Sequence, residues 1–325
     1  MTTPETPASR LAPAVTADGP DAADDPVDGP AAPPGPRNPT RIPPRPAVPN
    51  SEGRPVRKDE MEVADRGLHV ESWLPERRSR RKPLLFVHGE LGGSWAWERY
   101  LGYFARRGWE GHALNLRNHY WSQTADPARL SFASYTDDVV SVLERLGPNA
   151  VVVGHGMGGL LALKAAERHQ VAGLVLVAPY LPRELRLPPK PHEIRAIPAA
   201  YGSELLGWDT MPERLMRDHR DLTLEDIVRI KHLLGQKPRE AGAARRSVLQ
   251  GVPIDRRPFA DVPILAIGAG LDRYVAEPDV ERLAGWLGAR YEPFGAHSHF
   301  GLVLGEESFQ QVADAIREFF EEHRL

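Results

Sequence analysis

Cysteine is absent from this chain. That excludes disulfides, thiolate nucleophiles and cysteine-ligated metals. Long apolar runs are also lacking: no stretch reaches the roughly 18 residues that a membrane-spanning helix requires. The sequence does not open on a basic stretch followed by an apolar one, so no secretory leader is expected and the location is read as cytoplasmic. Neither sign of charge dominates. The 41 Lys and Arg against 44 Asp and Glu leave a formal net charge of −3, too small to imply nucleic acid or an anionic membrane as partner. A small-molecule substrate is the expected partner.

The 325 residues are 41% hydrophobic and 26% charged, which suits a globular chain of one or two domains. The composition is uneven. Of the 32 prolines, 15 fall between Met1 and Pro55, among many Ala, Asp and Gly. Such a segment cannot bury enough apolar surface to offset its ordering entropy. Residues 1–55 are read as a disordered tail, partly polyproline II near Pro43-Pro44-Arg45-Pro46.

From Val56 onward the pattern changes. Met61 to Ala64 and Leu68 to Trp73 alternate around Asp65-Arg66-Gly67, which predicts a β-hairpin. Leu84-Leu85-Phe86-Val87 reads as a buried strand. A helix is expected from Trp97 to Arg107, then a strand from His112 to Leu116. Ser131 is a candidate N-cap for a helix ending at Gly147-Pro148. Val151-Val152-Val153 precedes a glycine-rich turn and a helix from Leu160 to His169; Leu174 to Val177 is the next strand. Between Leu181 and Gln250 the buried-strand pattern disappears and the chain reads as helix and loop. It returns at Ile264 to Gly268, with a helix over Pro278 to Leu287, a short strand from Tyr291 to Phe294, and a last helix from Glu307 to Glu322. Alternating strands and helices predict a mostly parallel, doubly wound α/β sheet. Residues 56–180 and 251–325 form the expected core. Residues 181–250 form an expected helical cap inserted after the sixth core strand, over the strand ends where ligands of such sheets bind.

The most specific pattern is Val151-Val152-Val153-Gly154-His155-Gly156-Met157-Gly158-Gly159-Leu160. It resembles the nucleophile elbow G-x-S-x-G of the α/β-hydrolase superfamily, in which a strand enters a tight turn and a helix leaves it. Leu84 to Trp97 is similar to that family's strand and His-Gly oxyanion loop. Leu114-Asn115-Leu116-Arg117 is similar to its next strand end. Gly268-Ala269-Gly270-Leu271-Asp272-Arg273 lies where the family places its acid, and His297-Ser298-His299-Phe300 where it places its base. The resemblance runs from about Arg57 to the C-terminus and implies the α/β-hydrolase fold. It puts Gly156 at the nucleophile position, Asp272 and His299 at the acid and base positions, and the backbone N–H groups of Glu90 and Met157 at the oxyanion hole.

Glycine at 156 departs from the family pattern. It suits a turn with φ above zero but carries no hydroxyl, so no acyl-enzyme can form there. Loss of the nucleophile in a serine protease costs about a million-fold and leaves about 10³–10⁴ over water. Fast chemistry must then use another route. His299, oriented by Asp272, could act as general base on a water in the vacated space or on a substrate proton. The expectation is a serine-independent hydrolase, or a lyase or cyclase, acting on a small carbonyl or ester compound without a cofactor. The competing reading is an inactive pseudo-hydrolase that binds a ligand or serves as a scaffold.

Several residues carry two readings. His297 is the alternative base. Its spacing from His299 also fits a metal pair, but no further clustered ligands complete a site, so no metal is expected. Asp272 could instead cap the turn before Val275. Ser94 and Ser298 are candidate displaced nucleophiles or local hydrogen-bonding groups. Glu90 either faces away from the oxyanion hole or adds an acid or base. Trp95 and Trp97 are pocket or core residues. His155 is a packing residue beside the turn and a candidate pocket wall, and His88 a holder of the loop. In the cap, Arg183, Arg186, Arg195, Tyr201, Trp208 and Met211 could meet an aromatic or anionic substrate or form a solvated face.

Overall fold

The computed structural model of the chain describes residues 56–325, apart from 64, 78 and 236–238. The proline-rich stretch 1–55 lies outside the described residues. The first two strands, β1 (Val56–Val63) and β2 (Leu68–Pro75), pair antiparallel across the predicted turn, Met61 facing Val70. Next come β3 (Leu84–Val87), a 3-10 turn over Ser94–Trp97, α1 (Glu98–Arg106) and β4 (Gly111–Leu114). Then follow α2 (Phe132–Leu146), β5 (Val151–His155), α3 (Met157–Ala166) and β6 (Gly173–Val177).

After this sixth strand the chain leaves the sheet. It forms α4 (Pro191–Arg195), β7 (Ala200–Tyr201), α5 (Pro212–Asp218), α6 (Leu224–Gly235), β8 (Glu240–Ala241) and α7 (Gly242–Gln250). It rejoins the sheet with β9 (Ile264–Ala269), α8 (Glu277–Leu287) and β10 (Arg290–Phe294), and ends in the short α9 (Gly301–Leu304) and α10 (Phe309–Glu322).

Eight strands form one sheet in the order β1-β2-β4-β3-β5-β6-β9-β10. The hairpin and the β2–β4 pair are antiparallel; every other pairing is parallel. Alternation along the central strands sends side chains to two cores. Leu84, Phe86, Val151 and Val153 pack on one face with Leu101, Phe104, Ile316 and Phe320 of α1 and α10. Leu85, Val87, Val152 and Leu174 pack on the other with Val139, Leu143, Leu160 and Leu283 of α2, α3 and α8. This is the α/β-hydrolase fold.

Two local differences from the sequence reading have clear causes. The helix after β5 begins at Met157, not Leu160. Gly158 and Gly159 are poor helix formers, but a Cβ on Gly158 would lie 2.3 Å from the Val87 carbonyl oxygen, so close packing against β3 requires glycine inside the first turn. The inserted segment also contains a two-residue antiparallel ribbon, Ala200 facing Ala241 and Tyr201 facing Glu240. A pairing this short leaves no alternation to read.

Candidate active site

The sheet brings three distant stretches together at the ends of β5, β9 and β10. Gly156 occupies the turn between β5 and α3 with φ +55° and ψ −117°, a conformation that costs glycine little and strains other residues. Its carbonyl accepts from the N–H groups of Gly159 and Tyr180, pinning the turn.

Asp272 follows β9, and both of its oxygens are used. Oδ1 accepts from the N–H of Tyr274 at 2.7 Å and of Val275 at 2.9 Å; Oδ2 accepts from His299 Nδ1 at 2.7 Å. The turn-capping reading and the partner reading of Asp272 therefore hold together, since capping the turn fixes the carboxylate that orients the ring. Both side chains are nearly fully buried. The other ring nitrogen, His299 Nε2, lies 3.1 Å from where a Cβ on Gly156 would sit. A side chain there would require the imidazole to give way by a few tenths of an ångström.

The His299 ring is held on several sides. The His155 ring lies at 4.3 Å, Tyr274 at 5.0 Å and Phe300 at 5.3 Å between centroids. His155 Nε2 donates to the His299 carbonyl at 3.0 Å. Burial first, then the neighbouring His299, holds the His155 pKa well below the ordinary histidine value, so it packs as a neutral ring. His297 is turned elsewhere: its ring meets Phe294 edge-on at 5.2 Å, and its Nδ1 is buried without a partner.

The loop after β3 supplies the facing wall. His88 donates from Nδ1 to the Gly89 carbonyl and accepts at Nε2 from the Leu116 N–H, so it holds the loop as expected. Among the described residues, neither the Glu90 nor the Met157 N–H has a hydrogen-bond acceptor. The Glu90 side chain does not face away. Its carboxylate lines the cavity and accepts from Tyr180 Oη at 2.8 Å, Tyr201 Oη at 2.5 Å and Arg245 Nη1 at 2.7 Å. Burial would lower the Arg245 pKa, but Glu90 and the two tyrosine hydroxyls outweigh it and keep the guanidinium above its usual range. Tyr180 is raised well above the phenol value, first by burial and then by Glu90.

The cavity among these groups is lined by Glu90, Trp95, Tyr180, His299 and, on its apolar side, Leu206 and Leu234. It measures about 20 Å³, on a scale where one water needs roughly 10–15 Å³. It has room for a water but not for a drug-sized ligand.

Other predicted residues fall outside the cavity. Ser94 Oγ accepts from Asn115 and Ser298 Oγ from the Gly301 N–H; neither hydroxyl bonds His299. Trp97 is core. Arg183 and Arg186 donate to the carbonyls of Gly251 and Leu249, Arg195 is exposed, and Met211 is exposed at 68%. Tyr201 and Trp208 are buried, with the Trp208 indole donating to Tyr274 Oη. Sequence reasoning missed Arg245, Tyr180, Tyr274, Leu206 and Leu234. Tyr180 carried a usable signal, since it lies three residues past the C-terminal end of β6. Arg245 sits inside α7 among other arginines and carried none.

Residues 84–315 match the alpha/beta hydrolase family. The chain belongs to that family. Among its relatives is RutD of Variovorax paradoxus (strain S110), named a putative carbamate hydrolase, 30% identical over 229 residues that span 64% of this chain and 82% of RutD. The esterase PIR7B of Oryza sativa subsp. japonica is 33% identical over 113 residues; that match covers 32% of this chain and only 41% of the esterase. In fold, the chain is similar to a thermophilic esterase from Thermogutta terrifontis. The TM-score is 0.63 with 19% identity over 83% of this chain and 100% of the other. Among the described residues no helix is long and apolar enough to cross a membrane.

Proposed function

We propose that the chain is a serine-independent member of the family that acts on a small carbonyl or ester compound, with His299 as general base and Asp272 as its orienting partner. Gly156 stands at the nucleophile position in this reading, and the N–H groups of Glu90 and Met157 form the oxyanion hole. One observation carries it: the 2.7 Å Asp272–His299 bond, with Nε2 left over the bare Gly156 backbone. Asp272 accepts a hydrogen bond from the Nδ1–H, which fixes the tautomer that leaves the Nε2 lone pair free to take a proton. The space beside it fits a water. That water, deprotonated by Nε2, would attack a carbonyl carbon while two backbone donors stabilise the resulting oxyanion; collapse of the adduct would break the bond to the leaving alcohol, which takes the proton back from Nε2. Where the substrate itself offers an acidic proton, the same base would serve elimination or cyclisation. The named activities of the relatives, carbamate and ester hydrolysis, are both carbonyl chemistry. His299 is preferred to His297 because the latter has Phe294 beside its ring and no bond to Asp272.

The competing reading, an inactive pseudo-hydrolase retained as a scaffold, is favoured by one feature, the small size of the cavity. The two readings separate in an assay of p-nitrophenyl esters with wild type, Gly156→Ser and His299→Ala. Activity of wild type that His299→Ala abolishes supports the water-based reading. Activity that appears only in Gly156→Ser supports an intact base and oxyanion hole whose natural chemistry is not ester hydrolysis. Silence of all three, with the fold retained by circular dichroism, favours the inactive pseudo-hydrolase.

A further inference from the structure

The cap ribbon and the loop carrying Glu90 meet at two adjacent points. On the loop, Glu90 receives the Tyr201 hydroxyl on its Oε1, and the Leu91 N–H donates to Glu240 Oε2 at 3.0 Å. On the ribbon, Tyr201 and Glu240 are cross-strand partners. One rung of β7–β8 therefore grips two successive loop residues.

The grip acts on a strained point. Leu91 has φ +56°, a region that a branched, non-glycine residue adopts at a cost. Its N–H is tied by a carboxylate that is itself fixed. Glu240 is wholly buried and also receives the His119 ring at 3.0 Å, the Tyr135 hydroxyl and the Ala241 N–H. A carboxylate held by this many donors is a rigid anchor.

We propose that Tyr201 and Glu240 are positioning residues: they hold the loop so that the Glu90 N–H is aligned at the reacting centre only while the ribbon is docked. This rests on the reading of that N–H as an oxyanion donor. Undocking the ribbon removes both contacts and lets Leu91 leave its strained conformation. Redocking over substrate rebuilds the donor geometry, which makes catalysis conditional on closure.

The test uses the full chain with two readouts. In a Gly156→Ser background assayed with p-nitrophenyl acetate, Tyr201→Phe and Glu240→Gln are expected to lower kcat about ten- to a hundredfold with KM within about twofold. Adding Leu91→Gly to Glu240→Gln recovers much of that loss, because glycine adopts φ +56° without the strain that the anchor otherwise offsets. Independently, amide exchange of residues 88–97, followed by mass spectrometry, is expected to quicken about tenfold or more in Tyr201→Phe and Glu240→Gln, with exchange in β5 and β9 unchanged. Unchanged exchange in the loop overturns the proposal. So does exchange that quickens throughout the sheet, or failure of Leu91→Gly to rescue. If wild type and Gly156→Ser are both silent, the reading of the oxyanion hole fails, while loop exchange still decides whether the ribbon sets the loop.

Discussion

At the scale of single residues, the site is governed by which polar groups are buried and what they hold. Glu90 and Arg245 are an ion pair with side chains 4% and 13% exposed. Such a pair stabilises little in net terms, because desolvation offsets the attraction, but breaking it leaves an uncompensated buried charge. Arg245→Met is expected to lower stability by about 3–5 kcal/mol. Glu90→Gln combined with Arg245→Met should cost clearly less than the sum of the two single changes, because no charge is stranded. Urea unfolding of all three variants checks this; additive losses would mean that the pair contributes no coupling. The same scale shows the limit of sequence reading at this site. His299, Asp272 and Gly156 belong to short local patterns with fixed neighbours and could be picked out in advance. Arg245 reaches Glu90 from 155 positions away, and no local pattern encodes that reach.

At the scale of elements, local chemistry and strand alternation set most boundaries. Ser131 caps α2, accepting from the Ser134 N–H, while Ser134 Oγ accepts from the Ser131 N–H. Gly147, at φ +84°, ends the same helix. These signals lie within a few residues of the boundary they make, which is why they were legible. Ser131→Ala should lower stability by about 1 kcal/mol, readable as a fall in the urea midpoint at unchanged slope; a neutral result would show that Ser134 or solvent replaces the cap. The start of α3 and the β7–β8 ribbon were not legible. The helical glycine at 158 is required by the approach of β3 and that at 159 by the approach of Pro179, and a two-residue ribbon has no period.

At the scale of the whole molecule, burial of neutral histidines links folding to pH. His112 and His219 are both lowered to about 4, each chiefly by burial. Each also has a buried ring nitrogen with no partner, Nε2 and Nδ1 respectively. Their folded values lie below the unfolded value, so between these limits the unfolded chain binds more protons than the folded one. Stability therefore rises with pH across this window. The contribution is complete above about pH 6.5 and is lost as pH falls toward about 4, at most about 3 kcal/mol for each ring. Urea midpoints at pH 7 and pH 5 test the sign: a midpoint that does not fall at pH 5 contradicts it. By itself, the sequence determined the α/β-hydrolase fold, the place where the chain leaves the sheet, and the residues offered as base and acid, because periodicity, caps and short motifs are local. Tertiary structure alone decided that His299 and not His297 meets Asp272, that Glu90 turns into a cluster with Arg245 and two tyrosines, and that the remaining cavity is only large enough for water. Those outcomes depend on contacts between segments far apart in the chain, where packing and the burial of charge, not local propensity, select the partner.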